Sequence, residues 1–224
     1  MYAYWLIPAV IAASLQWYAR WRGQRVLHYV TKPAVMVLLL AWLWQATRFE
    51  GFAGWIGLAL LLSRAGDIFL MLPPSFFMAG LAAFLLGHVC FMAGFLASQP
   101  ADGPWVWAAG AALLAVALFT LQTYWKALGK KLYSRKVRGG VSAYILVANG
   151  MIFSALSTLW RPDWALVNAL LAAGGAVLFG ISDSMLAYNR FIRKIPHAHV
   201  WIMITYHLAQ MLITSAAIRQ ALSL

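Results

Sequence analysis

Eight apolar runs of bilayer-spanning length follow one another along the chain, at about 2–19, 29–46, 52–72, 75–97, 104–125, 138–157, 163–188 and 197–219. A hydrocarbon core of ~30 Å takes about 17 to 25 helical residues to cross. In lipid every backbone N–H and C=O needs a protein partner, which a helix supplies within itself. With 64% hydrophobic and 10% charged residues, the chain has too little polar surface to clothe a soluble globule. The expected fold is an all-α polytopic membrane protein with eight transmembrane helices. It forms a single integral membrane domain over 1–224, since no linker or low-complexity stretch divides it.

A net charge of +12 would suggest a nucleic-acid partner in a soluble protein, so its distribution decides its meaning. Arg20, Arg22 and Arg25 fall in the first connection, Lys126, Lys130, Lys131, Arg135, Lys136 and Arg138 in the fifth, and Arg190, Arg193 and Lys194 in the seventh. The other side carries only Arg48, Arg161 and Arg219. The positive-inside rule places the odd-numbered connections in the cytoplasm. The basicity is thus topological, and no nucleic-acid partner is expected. Both termini are expected on the non-cytoplasmic face of a cell inner membrane. The first run lacks a basic n-region and an evident cleavage site, so it reads as a retained helix. A single cysteine, Cys90, excludes an intrachain disulfide and any cysteine-based metal cluster.

Against this apolar background two carboxylates stand out, in Gly66-Asp67-Ile68-Phe69-Leu70 and Ser182-Asp183-Ser184-Met185-Leu186. Placing a carboxylate deep in a bilayer costs roughly 2.5 to 3.5 kcal/mol even on lenient scales, which marks such residues as functional candidates. They share a small-Asp-x-x-Leu pattern, in the third and seventh runs. The pattern suggests two parallel four-helix repeats, segments 1–4 and 5–8, with chance matching in an Ala- and Leu-rich chain as the alternative. Each aspartate lies about five residues, or ~8 Å, from the basic end of its helix. A site there would sit at the level of the inner-leaflet headgroups.

Other polar residues gather at compatible depth: Lys32, Arg64, His88, Asn149, Ser182, and Tyr206 with Gln210 on one helix face. Each has a plainer reading. Arg64, three residues before Asp67, could serve only to neutralise it, and Lys32 could snorkel to the interface. His88 flanks a stripe of small residues, Gly80, Ala83, Gly87, Cys90, Gly94 and Ala97, spaced like a close helix–helix seam. His197, His199 and His207 lack the carboxylates that would make them a metal site. No zincin, P-loop or nucleophile-elbow motif occurs, and no metal or cofactor is expected.

The segments Thr31-Lys32-Pro33, Ser63 to Met71, Gly80-Leu81 with Phe84 to His88, Phe179 to Asp183 with Leu186-Ala187, and Tyr206 with Ala209-Gln210 and Leu212-Ile213 resemble the YhhN family of transmembrane proteins. The match runs in order from the second helix to the eighth. Animal members of that family are lysoplasmalogenases. The resemblance implies hydrolysis of the vinyl ether bond of lysoplasmalogen, an alkenyl glycerophosphoethanolamine or glycerophosphocholine. The products would be a fatty aldehyde and a glycerophospho-alcohol, so the expected partners are a lysophospholipid substrate and membrane lipids.

That chemistry suits two carboxyls. A vinyl ether is hydrolysed by protonating its β-carbon and adding water to the resulting oxocarbenium ion, which needs one acid and one base, as in glycoside hydrolysis. Apolar burial favours a neutral carboxyl and a neighbouring cation an ionised one. Asp183, with no cation within a turn, is therefore expected to be the acid. Asp67, beside Arg64, is expected to be the base. His88, Tyr206 and Gln210 would position water or the hemiacetal, and Lys32 or Arg64 the phosphate, with Asn149 and Ser182 as further substrate contacts. A proton-coupled small-molecule transporter using the same paired aspartates is the alternative. An intramembrane aspartyl protease is disfavoured because its Gly-x-Gly-Asp and Pro-Ala-Leu signatures are missing.

Overall fold

The computed structural model describes residues 3–97 and 100–223. It contains eight long helices: α1 (Leu6–Arg22), α2 (Arg25–Thr47), α3 (Phe52–Met71), α4 (Phe77–Leu96), α5 (Pro104–Lys130), α6 (Arg135–Ser157), α7 (Leu166–Ala187) and α8 (Ala198–Ala221), and no strand among the described residues. The helices α2 to α8 are long and apolar enough to cross a membrane. The 17 residues of α1 reach ~26 Å at 1.5 Å per residue. The chain is thus an all-α, multi-pass membrane protein.

The helix ends follow local chemistry. Gly23, at φ +69°, closes α1 in the left-handed conformation and returns its N–H to the Ala19 carbonyl. Pro104 occupies the first turn of α5, where no N–H is needed. The Ser134 side chain caps α6 by accepting from the Val137 N–H.

Several boundaries differ from the apolar runs, three of them where basic residues extend a helix. The second helix begins at Arg25, the fifth continues to Lys130 and the sixth starts at Arg135. The six cations expected in a long fifth connection are therefore mostly helical, leaving only 131–134 as the link. Long basic side chains keep their heads in the interface while their stems extend the helix. Arg138 stacks its guanidinium on Trp125 at 3.9 Å, joining the two helix ends. Beyond α7 the chain continues as a π turn, Tyr188–Ile192. Such turns are rare and recur at functional sites.

Packing has the same pattern in both halves. The pair α3–α4 corresponds to α7–α8, α1–α2 to α5–α6, α2–α3 to α6–α7, and α2–α8 to α6–α4. The small-residue stripe of α4 forms the seam with α3: a methyl at Gly87 would lie 3.3 Å from the Ala59 carbonyl, and one at Gly94 2.8 Å from Ile56. On the other side, a methyl at Gly175 would lie 2.9 Å from the Ala209 carbonyl, so α7 and α8 touch backbone to backbone. Between these pairs sits an aromatic and aliphatic core that includes Leu39, Leu60, Phe91, Phe95 and Phe179, all fully buried.

The halves differ at α1 and α5. The first helix packs on α8, whereas α5 leans on α6 and the π turn. It turns Trp107 and Phe119 outward, which suits a lipid-facing surface.

Candidate active site

Both membrane aspartates lie in the wall of one cavity of about 630 Å³, which opens at the basic end of the bundle. Its floor includes Lys32, Asp67, Phe84, Asp183 and Tyr206, and its mouth includes Arg20, Arg25, His28, Arg190, Lys194 and His199. A second cavity of about 410 Å³ adjoins it and is almost wholly apolar, with Leu81, Leu113, Val116, Ile145, Ile152 and Val177 in its walls. Asp183, Phe84 and Leu186 line both. One carboxylate thus stands where a polar, cationic space meets a greasy one.

Asp67 is 1% exposed and is held from two helices. Lys32 of α2, itself 5% exposed, places its Nζ 2.9 Å from Asp67 Oδ1. Tyr206 of α8 donates its hydroxyl to Oδ2 at 2.9 Å. An ammonium on one oxygen and an O–H on the other give a carboxylate donors on both sides, the pairing that a buried charge requires.

Asp183, in the other half, is met by two side chains at a single oxygen. Tyr144 of α6 donates to its Oδ2 at 2.7 Å, and His88 Nε2 of α4 lies 3.1 Å from the same oxygen. The other ring nitrogen, Nδ1, sits 2.9 Å from the Phe84 carbonyl. A carbonyl only accepts, so Nδ1 carries a hydrogen and Nε2 is the nitrogen that faces the carboxyl. Phe179 stands between the two clusters, with its ring centroid 4.6 Å from that of His88 and 5.3 Å from that of Tyr206.

Several sequence expectations change. The ion pair of Asp67 is made with Lys32, not Arg64, which lines neither cavity. Three residues along a helix turn the side chain ~60° away around the axis. Lys32 is accordingly committed to Asp67 rather than free to hold a phosphate. Asp183 is not isolated, since His88 and Tyr144 converge on it. Asn149 lies in the wall of the apolar cavity with its amide donating to the Ile145 carbonyl at 2.8 Å, away from the carboxylates. Gln210 is fully buried one turn beyond Tyr206 and lines neither cavity. Ser182 lines the polar cavity and ties α7 to α8 by donating to the Ile202 carbonyl at 3.0 Å. Tyr144 is the member of the site that sequence reasoning missed. Among the described residues no three His, Cys, Asp or Glu side chains converge as metal ligands.

Comparison with known proteins identifies the family. A model described as the YhhN family matches residues 27–217. The human protein named lysoplasmalogenase TMEM86B is 30% identical over 218 residues, covering 96% of this chain and 87% of its own. Its mouse counterpart of the same name is 33% identical over 220 residues, covering 96% and 87%. A protein named lysoplasmalogenase from Mycobacterium bovis is 34% identical over 217 residues, covering 95% and 78%. No solved structure matches. The matched span contains Lys32, Asp67, His88, Tyr144, Asp183 and Tyr206, and the chain belongs to the YhhN family.

Proposed function

We propose that this protein is a lysoplasmalogenase, hydrolysing the vinyl ether of a 1-alkenyl lysophospholipid with the Asp183 and Asp67 clusters as its acid and base. The observation that carries this reading is the junction at Asp183: a cationic cavity for a phosphate-bearing head, an apolar cavity for one hydrocarbon chain, and a carboxyl between them. The vinyl ether bond is the point of the substrate where head and chain meet. Relatives at 30% and 34% identity that carry the name support the same reaction.

In this mechanism the Asp183–His88 pair supplies a proton to the β-carbon, and its lone proton site, His88 Nε2, lies beside the carboxyl. The C=C electron pair forms the new C–H bond, leaving an oxocarbenium ion between the α-carbon and the ether oxygen. The Asp67 carboxylate and the rings of Phe84 and Tyr206, which line the same cavity, favour that cation. Asp67 takes a proton from water as its oxygen bonds to the α-carbon. The hemiacetal then returns its hydroxyl proton to the Asp183 pair. The carbon–oxygen bond to glycerol breaks, and the departing oxygen takes the proton held by Asp67. Both clusters end as they began, and the products are aldehyde and alcohol. Lys32 and Tyr206 fix the orientation of Asp67, and Tyr144 that of Asp183.

The same reading places the mouth at the inner leaflet of a cell inner membrane, with both termini on the opposite face. The test is incubation of the detergent-purified full chain with lysoplasmenylethanolamine and detection of released aldehyde. Aldehyde that disappears in Asp183→Asn supports the mechanism. Uptake of a solute into vesicles with no product from the lipid would favour the transporter instead.

A further inference from the structure

The charge at the mouth of the polar cavity also bears on which phosphate-bearing head it takes. Arg20 reaches it from the last turn of α1, Arg25 from the first turn of α2, Arg190 from the π turn, and Lys194 from the approach to α8. Positive-inside topology explains basic residues at this end of the bundle but not their convergence on a cavity. The six cations around the α5–α6 link satisfy the same topology, and none of them lines either cavity.

No acidic residue answers these cations at the mouth. Of the five acidic residues in the chain, Asp67 and Asp183 are engaged at the floor, and Glu50, Asp102 and Asp163 lie in links at the opposite ends of the helices. An ammonium head would therefore meet cations and no counter-charge. Nor is there an aromatic cage for a quaternary ammonium. The aromatic rings near the mouth are Tyr29 and Phe77, and the Phe77 face is covered by the Arg190 guanidinium at 3.9 Å. Resting on the hydrolase reading above, we propose that the preferred substrates are alkenyl lysophospholipids whose head has net negative charge, a glycerophosphate or glycerophosphoglycerol, rather than ethanolamine or choline.

The experiment compares four 1-alkenyl lysophospholipids, with phosphate, phosphoglycerol, phosphoethanolamine and phosphocholine heads, at equal mole fraction in neutral-detergent micelles. The expected kcat/KM is about tenfold or more higher for the anionic heads, the scale of one partly screened charge interaction. The advantage should shrink as salt is raised. Arg20→Gln and Lys194→Gln should each erode it through KM with kcat retained. Equal or faster turnover of the ethanolamine or choline lipid overturns the proposal while leaving the hydrolase reading intact. If no lipid yields aldehyde, the hydrolase reading fails, and binding of unreactive 1-alkyl ether analogues decides the proposal separately. Greater thermal stabilisation by the alkyl glycerophosphate than by the alkyl glycerophosphocholine supports it, and equal stabilisation overturns it.

Discussion

Removing the Lys32 ammonium while keeping its bulk, as in Lys32→Met, should both destabilise the bundle and stop turnover. Lys32 and Asp67 are 5% and 1% exposed and 2.9 Å apart, so each charge relies mainly on the other. Breaking a buried pair by deleting one member costs about 3–5 kcal/mol, because the other is left charged and unmatched. At about 2–4 °C per kcal/mol for a chain of this size, Tm should fall by roughly 6–20 °C.

Replacing both members has a different consequence. In Lys32→Met/Asp67→Asn the carboxylate is gone as well, and a neutral amide can still accept the Tyr206 hydroxyl. The double variant should recover most of the lost Tm, since exchange of a buried pair for neutral groups is often close to neutral. Its activity should stay absent, because the base has been removed. The assay is thermal unfolding in detergent followed by tryptophan fluorescence, with 12 Trp reporters, alongside aldehyde release. A double variant as unstable as Lys32→Met would show that the pair is not the source of the loss. A double variant that recovered activity with stability would refute the base role of Asp67.

Asp183→Asn should lower the rate by at least ~100-fold, the low end for loss of a general acid, with little change in Tm. Tyr144→Phe should lower kcat by a smaller factor, since it removes the hydroxyl that holds the Asp183 carboxyl while keeping the ring in the cavity wall. Gly175→Ala forces a methyl to 2.9 Å from the Ala209 carbonyl and should cost about 1–3 kcal/mol of stability, read as a lowered Tm. In membranes of known orientation, tags at both termini should resist a cytoplasmic protease while the 131–134 link is cut, and cleavage of either tag would overturn the assigned orientation.

The eight helices were legible because a bilayer imposes a length on every apolar run, and that signal survives without any tertiary information. The errors at the basic ends have one cause. A hydropathy reading stops at the first cations, whereas Arg25, Lys130 and Arg135 remain helical with their heads at the interface. Asp67 and Asp183 were legible because charge is rare in such runs. Their partners were not, since spacing within a helix reports only neighbours three or four residues away. That rule assigned Arg64 to Asp67 and left Asp183 alone, while the true partners arrive from other helices, with Lys32 35 residues before Asp67 and Tyr144 39 before Asp183. Nor did the shared pattern single out Tyr144: at the 116-residue offset between the two aspartates, Lys32 corresponds to Ala148.

The two clusters are built to one plan and differ in chemistry. In each, a carboxylate is met by one side chain from the helix before it and one from the last helix of the other half: Lys32 and Tyr206 around Asp67, Tyr144 and His88 around Asp183. The tyrosine hydroxyl recurs, so what separates the clusters is an ammonium in one and an imidazole in the other. An ammonium beside a carboxylate holds its charge in place, the arrangement suited to steadying a passing cation. An imidazole is the side chain that trades a proton near neutrality, the arrangement suited to delivering one. The cavities diverge in parallel, the cationic one reaching both carboxylates and the apolar one reaching only Asp183. In the proposed mechanism, a lipid lying across both would bring its head–chain junction to Asp183, with the charge of Asp67 on the headward side.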